Sequence, residues 1–189
     1  WMLAISMFTI ALGYFILGLS QVYAFIILSV ILIGFGTSFW HAPAFGTLAA
    51  RYPERKGFAL SMHLTGAQIG NTLGPPIIGG LISGITIGSI IKFSGFGWEQ
   101  VSLFLILPML ITGFLVIVLF KSAGAESDTN WSFEVYKART KGLIKDKVIL
   151  GLITLGAVRA SIHTSFQLFL AVYLKEELDY SAFIIGWHI

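Results

Sequence analysis

Arg159 and His163 stand four residues apart inside an otherwise apolar run, residues 147–174. On a helix that spacing puts a guanidinium and an imidazole on one face. Arg159 lies roughly twelve residues into the run, about 18 Å at the helical rise. If the run crosses a bilayer, that is near its middle, where an ionisable group is costly. Two roles fit: an anion contact or coupling site in a central wet cavity, or a structural charge paired with a carboxylate on another helix. His63 and Gln68 lie in a second apolar run, 57–83, with Asn71 one turn on. His41 lies in a third, 22–50, beside Trp40 and two residues before Pro43. Each of these histidines can bridge helices by hydrogen bonds or touch a substrate.

The chemistry open to such groups is narrowed by what is absent. All nine Asp and Glu residues fall in connections or at the ends of apolar runs. Imidazole is the side chain that ordinarily exchanges a proton near neutral pH, so within the runs only the histidines could carry one. A coupling carboxylate, if used, must lie outside this chain. The runs hold no cysteine, no His-x-x-x-His and no His-Glu-x-x-His pair. Ser61 and His63, two apart, point to different sides of a helix. Catalytic residues, a metal site and a cofactor are therefore not expected, and an enzyme is disfavoured.

The elements that position these groups follow from composition. Of 189 residues, 56% are hydrophobic and 11% charged, against about 25% charged in ordinary soluble domains. Mean hydropathy is +0.87. Residues 1–50 carry no charge at all, room for two spans of about 20 residues with a turn at "LGLSQVY", 17–23. Six apolar segments result: 1–19, 22–50, 57–83, 98–120, 147–174 and a sixth starting near Ser181 and cut short. The chain thus reads as an all-α membrane protein of about five full spans plus a truncated sixth, a piece of a longer protein.

Orientation comes from the basic residues. Nine of the twelve Lys and Arg lie in two connections, "RYPERK" at 51–56 and the polar stretch 121–146 with Lys147 at its end. The positive-inside rule makes both cytoplasmic, and the segments then alternate consistently. The net charge of +3 belongs to this pattern, not to nucleic acid. Residues 84–97 are glycine-rich and read as the end of the third helix plus an external loop. Within 121–146, "SAGAESDTN" is a polar linker. The part "WSFEVYKARTKGLIKDK" fits either a short amphipathic helix on the inner surface or a solvated connector.

Residues 69–80, "IGNTLGPPIIGG", carry two prolines and four glycines within a helical run. Gly66, Gly70 and Gly74 recur every four residues and so share a face, where small residues allow close approach of another membrane helix. Pro75 and Pro76 have no N–H to give the carbonyls of Asn71 and Thr72, which bends a helix.

Residues 34–80, "GFGTSFWHAPAFGTLAARYPERKGFALSMHLTGAQIGNTLGPPIIGG", resemble the fourth and fifth helices of the major facilitator superfamily with the turn between them. The drug-export branch has an antiporter motif there, G-x-x-x-G-P-x-x-G-G. Gly70, Gly74 and Pro75 match it, while Gly79 and Gly80 come one residue late, after the extra Pro76. "GWEQVSLFLILPML" resembles the start of a sixth helix, "LIKDKVIL" the start of a seventh, and "FQLFLAVYLKEELDYSAFIIG" its end and the beginning of an eighth. The resemblance implies a partial helical bundle covering helices three to eight of twelve. Residues 1–120 would end the N-terminal half, 121–146 form the central cytoplasmic loop, and 147–189 begin the C-terminal half.

By the same resemblance the protein would be a secondary transporter in the plasma membrane, exporting a small molecule in exchange for protons. Uptake of an organic or inorganic anion is the alternative, favoured by Arg159 and the histidines. A non-transporting membrane scaffold is a further one. Its partners would be the lipid bilayer, the substrate, protons and the missing helices of the same chain.

Overall fold

The computed structural model describes residues 1–87, 91–120 and 145–189. The linker and amphipathic segment expected in 121–144 lie outside these residues. The described chain runs α1 (Met2–Leu19), α2 (Tyr23–Arg51), a single 3₁₀ turn (Pro53–Arg55) and α3 (Lys56–Ser83). It continues through β1 (Ile85–Ile87), β2 (Ile91–Phe93), α4 (Trp98–Phe104), α5 (Ile106–Leu119), α6 (Lys147–Glu176) and α7 (Ala182–His188). These helices fall where the apolar segments predict them. The chain divides into two compact units, Trp1–Ala125 with Ser181–Trp187, and Glu126–Tyr180 with His188–Ile189.

Among the described residues four helical stretches are long and apolar enough to cross a membrane: Met2–Leu19, Tyr23–Arg51, Trp98–Leu119 and Lys147–Glu176. The fifth long helix, α3, has 28 residues, about 42 Å of length. Length is therefore not what separates it from the four. Its glycines, Pro75, Pro76, His63, Gln68 and Asn71 dilute its apolar character.

In the first unit α1 is the centre, packing against α2, α4 and α5. Lipid offers no hydrophobic drive for helices to associate, so close packing and hydrogen bonds must hold them. The α1–α2 pair meets this need with a reciprocal arrangement. Ser6 and Gly13 on α1 are seven apart, as are Ser29 and Gly36 on α2. Because the helices run antiparallel, Ser6 faces Gly36 and Gly13 faces Ser29. The Ser6 hydroxyl donates to the Gly36 carbonyl at 2.6 Å, and both serines are wholly buried. A Cβ on Gly36 would lie 3.0 Å from the Ser6 carbonyl oxygen, and one on Gly13 would lie 3.1 Å from that of Ser29. The same logic seats the other neighbours of α1. Gly18 lies against Leu103 and the Glu99 carbonyl, and Gly113 of α5 against Met7 and Phe8.

Two features depart from the expectation. Residues 98–120 do not form one unbroken helix, because α4 ends at Phe104 and α5 resumes at Ile106. Pro108 explains the break, since it has no N–H for the Phe104 carbonyl and its ring crowds that turn. The second is in 84–97, where α3 ends at Ser83 and an antiparallel hairpin follows, pairing Ile85 with Phe93 and Ile87 with Ile91. Gly84 ends the helix with φ +75, a conformation glycine adopts at little cost, and the isoleucine- and threonine-rich residues beyond it favour strands. Gly95, at φ +84, turns the chain back, and the Phe96 N–H donates to the Leu81 carbonyl at 2.7 Å.

The second unit is built on α6. Its N-terminus is capped by Asp146, whose carboxylate accepts from the N–H groups of Val148 at 2.8 Å and Ile149 at 3.4 Å, the usual role of an Asp at this position. Its C-terminal end is followed by Asp179 at φ 49, and the Tyr180 N–H donates to the Leu174 carbonyl. The Lys175–Asp179 ion pair, 3.0 Å, is exposed and of a kind that contributes little.

The crossing of α1 and α2 makes a graded prediction. Gly36→Leu should destabilise the purified protein by about 1–3 kcal/mol through overpacking, seen as a lower melting midpoint in detergent. Ser6→Ala, which removes one hydrogen bond and no bulk, should cost only about 0.6 kcal/mol. Equal effects would contradict the view that steric closeness outweighs the hydrogen bond.

Candidate functional site

The residues singled out from sequence separate into three groups. In the first unit, His41 and His63 share an aromatic cluster at the α2–α3 junction. His63 lies near the Trp40 ring, centroids 6.4 Å apart with planes 25° from parallel. The Phe45 ring meets His63 edge-on at 5.4 Å and 86°. His41 in turn lies 5.9 Å from Phe45. The junction is set by the tight turn at Pro53–Arg55, where the Arg55 N–H donates to the Tyr52 carbonyl at 3.2 Å. His63 is seven residues into α3, about 10 Å along it. Trp40, Phe45 and His63 are half-buried, and His41 is exposed. Phe45 is the member that sequence reasoning missed. It lies four residues after His41, one helical turn on, which is the signal that could have found it.

Gln68 and Asn71 pair with each other, the Asn71 amide donating to the Gln68 oxygen at 3.3 Å, and both are exposed. Neither joins the aromatic cluster among the described contacts. They share α3 with Gly66, Gly70 and Gly74. A Cβ at any of these three glycines would meet nothing within 4 Å among the described residues. That face of α3 is open.

Close packing occurs one turn further along. Gly79 abuts the backbone of Ala182, and Gly186 lies with its would-be Cβ 2.5 Å from the Pro75 carbonyl oxygen. The Ser83 hydroxyl donates to the Gly79 carbonyl at 2.7 Å and accepts the Phe183 N–H at 3.2 Å. Gly79 and Gly80 are buried with Pro76. Gly79, the first of the late glycine pair, and Gly186 therefore form the α3–α7 crossing. Beside it lies an apolar recess of about 340 Å³ bordered by Leu73, Pro76, Phe93 and Trp187.

In the second unit Arg159 and His163 both lie in the exposed middle of α6, where no ion pair or hydrogen bond engages Arg159 among the described residues. Gln167, one turn beyond His163, donates to the Ile189 carbonyl at 2.9 Å.

Four of the described helical stretches have the length and apolarity of membrane spans, and α3 carries imidazole and amide groups. A family model of the Major Facilitator Superfamily matches residues 1–189, so the chain belongs to that superfamily. No curated protein and no solved structure matches it. Membership makes the protein an integral membrane secondary transporter in general terms, in contact with the lipid bilayer and with small-molecule substrates.

The two glycine environments on α3 predict opposite responses to the same change. Gly79→Ala places a methyl against the Ala182 backbone and should lower the melting midpoint by several degrees, as overpacking of about 1–3 kcal/mol does. Gly70→Ala has space for its methyl and gains helix propensity, up to about 1 kcal/mol. Its midpoint should hold or rise. Matching losses at both sites would contradict this assignment of the crossing.

Proposed function

We propose that the protein exports a small organic molecule in exchange for protons, by alternating access of a cavity between two helical halves. The observation that carries this reading is the character of α3. It is long enough to span, less apolar than the four spanning stretches, and has an open glycine face in which Gly70 and Gly74 belong to a G-x-x-x-G-P motif. Such a helix is poorly suited to face lipid and well suited to line a wet pathway, where polar side chains and proline-freed carbonyls can be hydrated. The near-match to the antiporter motif supports the drug-export branch and the direction of transport.

In this reading residues 1–120 complete the first half, with 121–146 as the central loop and 147–189 opening the second half, helices three to eight of twelve. Helices outside residues 1–189 complete the bundle. The turn 51–56 and the loop 121–146 face the cytoplasm of a plasma-membrane protein. His41, His63, Gln68 and Asn71 of the first unit, and Arg159 and His163 of the second, are the candidates for substrate contact or coupling, and the histidines are the proton carriers the apolar runs can supply.

A second reading, uptake of an anion with protons, is favoured by one observation. Arg159 sits mid-helix with no partner among the described residues, and a guanidinium at that depth needs something to offset a cost of about 2.5 kcal/mol or more. An anionic substrate would do so.

The two readings differ in the sign of coupling. The intact protein reconstituted in vesicles would be offered a panel of radiolabelled neutral, anionic and cationic organic solutes under an imposed pH gradient. Exchange predicts accumulation when the lumen is acid. Symport predicts accumulation when the outside is acid. If no solute responds to either gradient, proton-coupled transport is wrong.

A further inference from the structure

The aromatic cluster at the α2–α3 junction has a composition that selects among organic molecules. We infer that Trp40, Phe45, His41 and His63 form a recognition site for a planar aromatic oxyanion, such as an aromatic carboxylate or sulfonate. The inference rests on the reading that α2 and α3 line the substrate pathway, and names the substrate class that pathway takes.

Three observations carry it. The first is shape. The Trp40 and His63 rings are within 25° of parallel, and the Phe45 ring closes on His63 at 86°. The three half-buried rings make a corner of flat surfaces, which suits a planar guest that stacks on one ring and meets another edge-on.

The second is hydrogen bonding. Four hydroxyl groups of α2 and α3 near the cluster are already committed to their own helices. Thr37 donates to the Ile33 carbonyl, Ser38 to Gly34, Ser61 to Gly57 and Thr65 to Ser61, all at 2.8–3.0 Å. The imidazoles of His41 and His63 make no hydrogen bond among the described residues. An imidazole keeps at least one N–H donor whether neutral or protonated. The polar capacity left over at the cluster therefore includes donors suited to an acceptor-rich ligand.

The third is charge. The only formal charges on α2 and α3 are Arg51 and Lys56, at the ends joined by the turn. The turn between them adds Arg55 and Glu54. No carboxylate lies along either helix to neutralise an organic cation, and the net field from this end is positive. An anion is favoured over a cation of the same shape.

The test is equilibrium binding to the purified intact protein in detergent, with three labelled probes. These are 2-naphthalenesulfonate, its cationic counterpart 2-naphthyltrimethylammonium, and the non-aromatic cyclohexanesulfonate. The naphthalenesulfonate should bind at least about tenfold more tightly than either of the others. Trp40→Leu and His63→Ala should each weaken it about tenfold, whereas Trp40→Phe, which keeps a ring face, should stay within about threefold. A cation that binds as tightly as the sulfonate overturns the proposal. So does a Trp40→Leu protein that elutes normally and binds unchanged. Should the variants fail to fold, the three-probe comparison on the unmodified protein decides alone. Proton-linked flux of other solutes without naphthalenesulfonate binding would remove the substrate class and leave the transport reading standing. Tight binding without any proton-linked flux would do the reverse.

Discussion

Close approach between α1 and α2 is the contact on which the rest of the first unit depends. Two helices in hydrocarbon gain nothing from hiding apolar side chains from each other, because lipid is as apolar as they are. What they can gain is dense backbone contact where side chains are small. Ser6 opposite Gly36, and Gly13 opposite Ser29, supply it at two places two turns apart, with one hydrogen bond of 2.6 Å joining the helices at the first. α1, held in this way, presents Gly18 to α4 and its Met7–Phe8 face to Gly113 of α5. α2, held along its first half, carries Trp40, His41 and Phe45 onward to the turn where α3 begins.

α3 obeys a different constraint. Its prolines and glycines make it a poor helix in water and a tolerable one in a membrane, where unravelling would expose backbone groups to hydrocarbon. It is helical throughout Lys56–Ser83 despite Pro75 and Pro76. One end of it makes the glycine crossing with α7, the other meets the aromatic rings of α2, and its middle face is open. That division separates a packing role at Gly79 from Gly66, Gly70 and Gly74, whose face meets nothing among the described residues.

Much of this was legible in the sequence. The breaks between helices are marked by charges at 51–56, by Gly84 and by Asp146, and those signals act locally. The break at Leu105 was equally local, since Pro108 predicts it, and Trp98–Leu119 still counts as one stretch long and apolar enough to span. The hairpin at 85–93 was harder, because its β-branched residues sit among glycines that also fit a loop. Pairings between helices were not legible. The four-residue glycine repeat of α3 is conspicuous, yet its face is open among the described residues. The contacts that form use a quieter seven-residue spacing at Ser6, Gly13, Ser29 and Gly36. Nothing in either helix alone tells which small residue will meet which. The aromatic partners of His63 were hidden for the same reason, since Trp40 and Phe45 reach it only after the turn folds back.

The most direct measurement is therefore of the α1–α2 contact itself. Cysteines placed at Ser6 and Gly36 of the intact protein, which has no cysteine among residues 1–189, should fall within the Cα separation of about 4.4–6.8 Å that a disulfide needs. Mild oxidation should then join them within one chain in nearly every molecule, while a control pair at Ser6 and Gly34 should not close. Failure of the 6–36 pair to form, or equal closure of the control, would contradict the crossing on which the account is built.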